Sequence, residues 1–129
     1  MAKFVCNKLG RDNGLESFKS QNIKPVYKFL SGNELREALK NKLIEEAQEV
    51  RDAHDDTEMV AELADILEVI IGLCKSYEID FKEVEKVKAE KCNDRGGFEK
   101  GLYIETLEMD ETNPRVQHFR KSPNKYPEI

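Results

Sequence analysis

Apolar residues at steps of three and four run through two adjacent stretches of this chain, and this periodicity constrains the fold more than any other feature. The first stretch begins at Ser31, and Glu34 follows at the spacing of a helix-capping box. A stripe then continues through Leu35, Ala38, Leu39, Leu43, Ala47, Val50 and Ala53. Such a stripe must be covered by another element. The pattern predicts a long amphipathic helix over residues 32–53.

The second stretch, residues 57–77, is apolar on most of its surface. Asp55 and Glu58 fit a further capping box, and the break before it is only a few residues long. A short connection makes consecutive helices antiparallel neighbours. A helix this apolar lies at the centre of a bundle or in an oligomer interface. One narrow polar stripe interrupts it, formed by Glu58, Glu62, Asp65, Glu68 and Gly72.

The rest of the chain completes an all-α prediction. Asp80 and Glu83 favour a third long helix over residues 80–94, which ends before two glycines, and a short helix is expected near residues 12–21. Residues 26–30 fit either a short strand or an extended arm. We therefore expect an antiparallel bundle of three long helices with a short N-terminal helix, completed by oligomerisation. Residues 1–105 would form the domain, and the proline-containing residues 106–129 an extended tail.

Composition limits the functions to consider. The net charge of −5 argues against a general nucleic-acid binder. The longest apolar run, residues 66–74, is interrupted by polar residues and is too short for a membrane span, so no membrane role is expected. The three cysteines are widely spaced without a Cys-x-x-Cys pair, which indicates neither a disulfide framework nor a zinc site. We expect a reducing compartment, the cytoplasm.

Carboxylates interrupt the apolar stripe of the first long helix. At 100° per residue, Lys42, Glu46 and Glu49 project into the middle of the stripe, and Glu45 lies at its edge. Burying a bare carboxylate costs several kcal/mol of desolvation free energy unless something neutralises its charge. The alternative is that the stripe widens here and these side chains reach water.

The second helix offers a further acid pair, Glu62 and Asp65, three residues apart. Taken alone, this pair fits the solvated side of the helix as well as it fits a cation-binding site. Antiparallel neighbours would let it face Glu46 and Glu49, with four carboxylates around one space. An all-oxygen set without His or Cys suits Mg²⁺ or Mn²⁺, and magnesium usually bridges protein carboxylates to phosphates. The pattern therefore indicates a phosphorylated substrate.

The spacing of these acids resembles a known signature. Glu45-Glu46-x-x-Glu49, followed after twelve residues by Glu62-x-x-Asp65, is similar to the E-E-x-x-E…E-x-x-D pattern of MazG-like, all-α nucleoside triphosphate pyrophosphohydrolases. Residues 7–12 and 95–101 resemble the K-L-V-R-D opening and the R-G-G-F closing element of a branch that includes phosphoribosyl-ATP pyrophosphohydrolase-like proteins. Gly10 and the Asn13-Gly14 pair depart from that opening.

The resemblance implies a function and a role for each site residue. The reaction would be metal-assisted attack of water at the α-phosphorus, releasing a nucleoside monophosphate and pyrophosphate, in a homodimer or homotetramer. The metal ligands would be Glu46, Glu49, Glu62 and Asp65; the catalytic residues Glu45 and Glu46; and the substrate-binding residues Lys42, Lys91 and Arg95. Two alternatives stay open: phosphoribosyl-ATP hydrolysis, and a non-catalytic helical module that senses a metal or a nucleotide.

Overall fold

The structure, a computed structural model, describes residues 1–129 and contains five helices and no strand. Its elements are α1 (Gly14–Ser20), α2 (Gly32–Asp52), α3 (Asp56–Ser76), α4 (Phe81–Arg95) and α5 (Val116–Arg120). The predicted all-α class is confirmed, and each long helix begins and ends within one residue of its predicted bounds. None of the helices combines the length and the apolar character needed to cross a membrane.

The polar break between α2 and α3 is a tight, capped turn. The Asp55 carboxylate accepts a hydrogen bond from the Glu58 amide (2.8 Å), and the Glu58 carboxylate accepts one from the His54 amide (2.8 Å). This reciprocal pair is the predicted capping box. The box predicted at Ser31 does not form, since the serine side chain accepts no cap bond. Gly32 follows it with a φ of +58°, which breaks the regular first-turn geometry that the box requires.

Only α2 and α3 pack extensively on each other. Their interface buries Leu39, Val69 and Cys74. Gly72 permits a close approach, because a Cβ atom at this position would lie 3.1 Å from Leu39 Cδ2. Near one end of the hairpin the Arg36 guanidinium donates two hydrogen bonds to the Ser76 carbonyl (3.0 and 3.1 Å). The α2/α3 hairpin therefore positions the acidic residues of both helices.

The N-terminal segment and α4 are less enclosed. Residues 23–31 have no regular secondary structure, so the extended-arm interpretation of residues 26–30 is confirmed over the strand. No residue of α4 is buried, and Val84 and Val87 are about 40% exposed. This helix has few apolar side chains with which to pack on the hairpin.

The chain divides into two compact units, Met1–Lys91 and Cys92–Ile129. The division predicted from the sequence, between residues 105 and 106, stays a prediction. Within the second unit, the Arg120 guanidinium pairs with Glu111 (2.7 Å) and Glu128 (2.6 Å), and the rings of Phe119 and Tyr126 meet edge to face at 4.9 Å. The tail was expected to be extended, whereas α5 and these contacts fold it locally. They join residues seven to nine positions apart, which no helical or strand periodicity marks.

Candidate metal centre

Carboxylates of α2 and α3 meet across the hairpin. Glu46 on α2, with Glu62 and Asp65 on α3, places one oxygen per side chain so that all three lie within 4.8 Å of one another. The step of three residues puts Glu62 and Asp65 on one face of α3. We call these three residues the acidic triad. It contains three of the four residues predicted as metal ligands.

Glu46 is the only buried charged residue of the chain, with 7% of its surface exposed. Its cationic partner is Lys42, whose Nζ lies 3.4 Å from the carboxylate and whose side chain is itself about one quarter exposed. A buried carboxylate is strongly unfavourable unless it is paired and fully hydrogen-bonded. The alternative that these side chains simply reach water therefore fails for Glu46. It holds for Glu49, which is exposed.

Glu62 lies among like charges. Partial desolvation, followed by the charges of Asp65, Glu46 and Glu49, raises the pKa of Glu62 above its ordinary value. Neighbouring carboxylates disfavour one another's ionised forms. Glu49 stands outside the acidic triad, but its charge is close enough to contribute to this repulsion. A divalent cation bound by the triad would remove the repulsion.

Three cations border the acids. Lys42 Nζ lies 3.4 Å from both Glu45 and Glu46, and Lys8 Nζ lies 3.3 Å from Glu45. Desolvation favours the neutral form of Glu45, but the charges of Lys42 and Lys8 outweigh it, so the pKa of Glu45 lies below its ordinary value. The third cation is Arg11, whose guanidinium donates to Asp65 Oδ1 at 2.6 Å.

Sequence reasoning did not select Lys8 or Arg11 as site residues. Both belong to the N-terminal opening that resembles the K-L-V-R-D element, and this was the available signal. The segment departs from that element at Gly10 and at the Asn13-Gly14 pair. The structure brings both side chains to the acids of the hairpin.

The site carries two more negative charges than positive ones, which one divalent cation would balance. Five carboxylates (Glu45, Glu46, Glu49, Glu62 and Asp65) share the site with three cations (Lys8, Arg11 and Lys42). Two negative charges remain when all these groups are ionised. The donors are all oxygen atoms, which Mg²⁺ and Mn²⁺ prefer. The residues present therefore fit the predicted ion in both donor type and charge.

The remaining predicted substrate residues lie on α4. Lys91 is exposed and makes no ion pair. Arg95 is the last residue of the helix and pairs only with its neighbour Asp94, at 3.9 Å. Neither belongs to the acidic triad, and their contact with a substrate stays a prediction.

The position of the acids in the chain agrees with a family comparison. Residues 35–97, which include Glu45 and the acidic triad, match the family model of the MazG nucleotide pyrophosphohydrolase domain. No match was found among curated proteins or solved structures. The matched segment spans α2, α3 and α4 almost completely. Residues 35–97 of this chain therefore belong to the MazG nucleotide pyrophosphohydrolase domain family.

Proposed function

We propose that this chain is a Mg²⁺-dependent nucleoside triphosphate pyrophosphohydrolase, for which Mn²⁺ can substitute, and that it removes noncanonical or surplus nucleotides. The observation that carries this proposal is the buried Glu46 carboxylate beside two acids of α3, inside the segment that matches the family. A cluster of this kind needs a cation, and a magnesium ion held by two helices leaves coordination positions for phosphate oxygens.

The acidic triad would hold the metal, with Glu49 one turn further along α2 as an additional ligand. When bound, Mg²⁺ would neutralise charge on the phosphates and polarise the phosphorus under attack. Glu45 is kept ionised by Lys42 and Lys8, and a carboxylate of lowered pKa is a weak base. It is therefore suited to orient a water by accepting its hydrogen bond, beside Glu46. Lys42, Lys91 and Arg95 would balance the charge of the triphosphate.

Self-association is part of this proposal. Val60, Leu63 and Leu67 lie at steps of three and four on α3, and each is between 47% and 68% exposed. No residue of α4 is buried. An exposed apolar stripe along a helix is typical of an interaction surface. We propose that a second copy covers them in a homodimer or homotetramer, and that the protein works in the cytoplasm, where its three cysteines stay free thiols.

The test is a panel of nucleoside triphosphates and phosphoribosyl-ATP with Mg²⁺, read by release of pyrophosphate and monophosphate. We expect turnover by the wild-type protein and a loss of about a hundredfold or more in Glu62→Gln, since one metal ligand is removed. Glu68→Gln is the matched control, because Glu68 lies on the same polar stripe of α3 but outside the acidic triad. Circular dichroism should show the same helix content in both variants.

Three results would separate the alternatives. Turnover restricted to phosphoribosyl-ATP would identify that hydrolase instead. Nucleotide binding by calorimetry without any hydrolysis would favour the sensing module. Equal turnover in Glu62→Gln and wild type would contradict the assigned metal site.

A further inference from the structure

The N-terminal segment crosses the acidic face of the hairpin. Lys8 reaches Glu45 on α2, and Arg11 reaches Asp65 on α3, 54 positions further along the chain. Residues 1–11 have no regular secondary structure. Asn7 has a φ of +46°, in the left-handed region that non-glycine residues seldom adopt. The segment therefore takes a defined, uncommon turn immediately before it presents two cations to the site.

Stability alone does not account for these two ion pairs. The side chains of Lys8 and Arg11 are 55% and 63% exposed, and ion pairs this open to water contribute little to folding free energy. Both cations are thus paired on one side and open to solvent on the other. Their charge and their exposure allow them to attract a negatively charged ligand.

A small cavity of about 110 Å³ lies between the segment and α2. Asn7, Lys8 and Leu9 form one wall, and the other wall is formed by Ala38, Asn41, Lys42 and Glu45. Two ammonium groups thus face one space beside Glu45. The N-terminal segment and α2 together make a small recess beside Glu45, which neighbours the acidic triad in the chain.

Arg11 and a metal ion compete for the same carboxylate. The Arg11 guanidinium bonds to Asp65 Oδ1, and Asp65 supplies an oxygen to the acidic triad. A guanidinium can exchange a carboxylate for a phosphate because its planar fork suits both anions equally. A metal–nucleotide complex would supply two groups at once. Its metal ion would bind the Asp65 carboxylate, and its phosphate would replace Asp65 as the partner of Arg11.

We propose that Lys8 and Arg11 bind the phosphates of the substrate, and that Arg11 exchanges Asp65 for a phosphate when the metal–nucleotide complex binds. This inference rests on the proposed function. The exchange makes the N-terminal segment part of the active site, although it lies outside the segment that matches the family. It also gives Arg11 opposite effects on the two ligands: it weakens binding of the metal alone and strengthens binding of the metal with nucleotide.

Calorimetry on the full chain tests these opposite signs with two probes, Mn²⁺ alone and Mg²⁺ with a non-hydrolysable nucleoside triphosphate analogue. Removing the competitor should tighten Mn²⁺ binding several-fold in Arg11→Gln. Loss of a charge-assisted hydrogen bond should weaken analogue binding on the order of tenfold. Lys8→Gln should also weaken binding of the analogue. The control is Lys3→Gln, an exposed lysine of the same segment that makes no ion pair.

Arg11→Lys adds a second variant, which keeps the charge but not the planar fork. It should recover only part of the analogue affinity. If Arg11 has only a structural role, Arg11→Gln would weaken the binding of both ligands together or change the binding of neither. Either result overturns the inference. The proposed function fails in a different way: the wild-type protein would bind no Mn²⁺, or Glu62→Gln would bind it as well as wild type.

Discussion

At the scale of single residues, Glu46 is the residue whose burial is hardest to explain by folding stability alone. Its carboxylate is buried, its neighbours Glu62 and Asp65 are also acidic, and its only cation, Lys42, is shared with Glu45. Neighbouring carboxylates disfavour one another's ionised forms, so a neutral group of the same shape at this position would relieve repulsion. Function and stability therefore make opposite demands on this side chain.

We expect Glu46→Gln to leave the free energy of unfolding in EDTA unchanged or raised by about 1 kcal/mol, since repulsion among the acids is relieved while Lys42 keeps Glu45 as its partner. The same variant should lose the increase in melting temperature that Mn²⁺ produces in the wild-type protein. Thermal unfolding followed by circular dichroism, with EDTA and with excess Mn²⁺, measures both effects. Glu68→Gln should respond to Mn²⁺ as wild type does. A large drop in stability in EDTA would show that Glu46 serves the fold instead.

At the scale of elements, the contact between α2 and α3 decides where the acids lie. Gly72 and Leu39 pack closely within it, and Leu39 is one of the few residues that the chain buries. A shift of one helix along the other would separate Glu46 from Glu62 and Asp65. The small residue at position 72 is thus linked to the geometry of the acidic triad through helix packing.

Gly72→Val should destabilise the protein by about 1–3 kcal/mol, because the added methyl groups meet Leu39 in a packed interface. It should also weaken Mn²⁺ binding, since the two helices must separate. Ala61→Val provides the comparison: Ala61 is exposed on the same helix, so this change carries only the lower helix propensity of valine, about 0.5 kcal/mol. Denaturant unfolding and calorimetry measure the two effects. Equal destabilisation by both substitutions would contradict the packing argument.

At the scale of the whole molecule, the hairpin does not bury the apolar surface that its helices carry. The stripe of Val60, Leu63 and Leu67 stays open, as does Ile44 on α2, which is 69% exposed. A monomer with so much apolar surface on one hairpin would tend to associate. This is the physical reason for proposing that a second copy completes the bundle.

Leu67→Lys should shift the protein towards the monomer, since a charge would have to be buried in the proposed interface. Sedimentation velocity at micromolar concentration measures the change, with the wild-type protein expected as a dimer or tetramer. Lys75→Gln, an exposed position near the end of the same helix, should sediment as wild type. A wild-type protein that sediments as a monomer would contradict the proposed association.

The helices and the acids that meet across the hairpin could be predicted from sequence because both depend on short-range spacing. A helix repeats every 3.6 residues, so capping residues and apolar steps give its ends, and steps of three bring Glu62 and Asp65 to one face. The short connection at Asp55 then makes α2 and α3 antiparallel, which brings Glu46 opposite them. The signature resembling the MazG-like family follows the same spacing.

Tertiary structure decided what depends on contacts between distant residues. It showed Glu46 to be buried and Glu49 to be exposed, although both lie on the same predicted stripe. It brought Lys8 and Arg11 from an irregular segment onto acids 37 and 54 positions away. Periodicity cannot report such contacts, since an irregular segment has no repeat and a side chain's burial depends on what packs above it. The helices and the acids thus follow from short-range spacing in the chain, whereas contacts between distant residues determine which charges surround those acids.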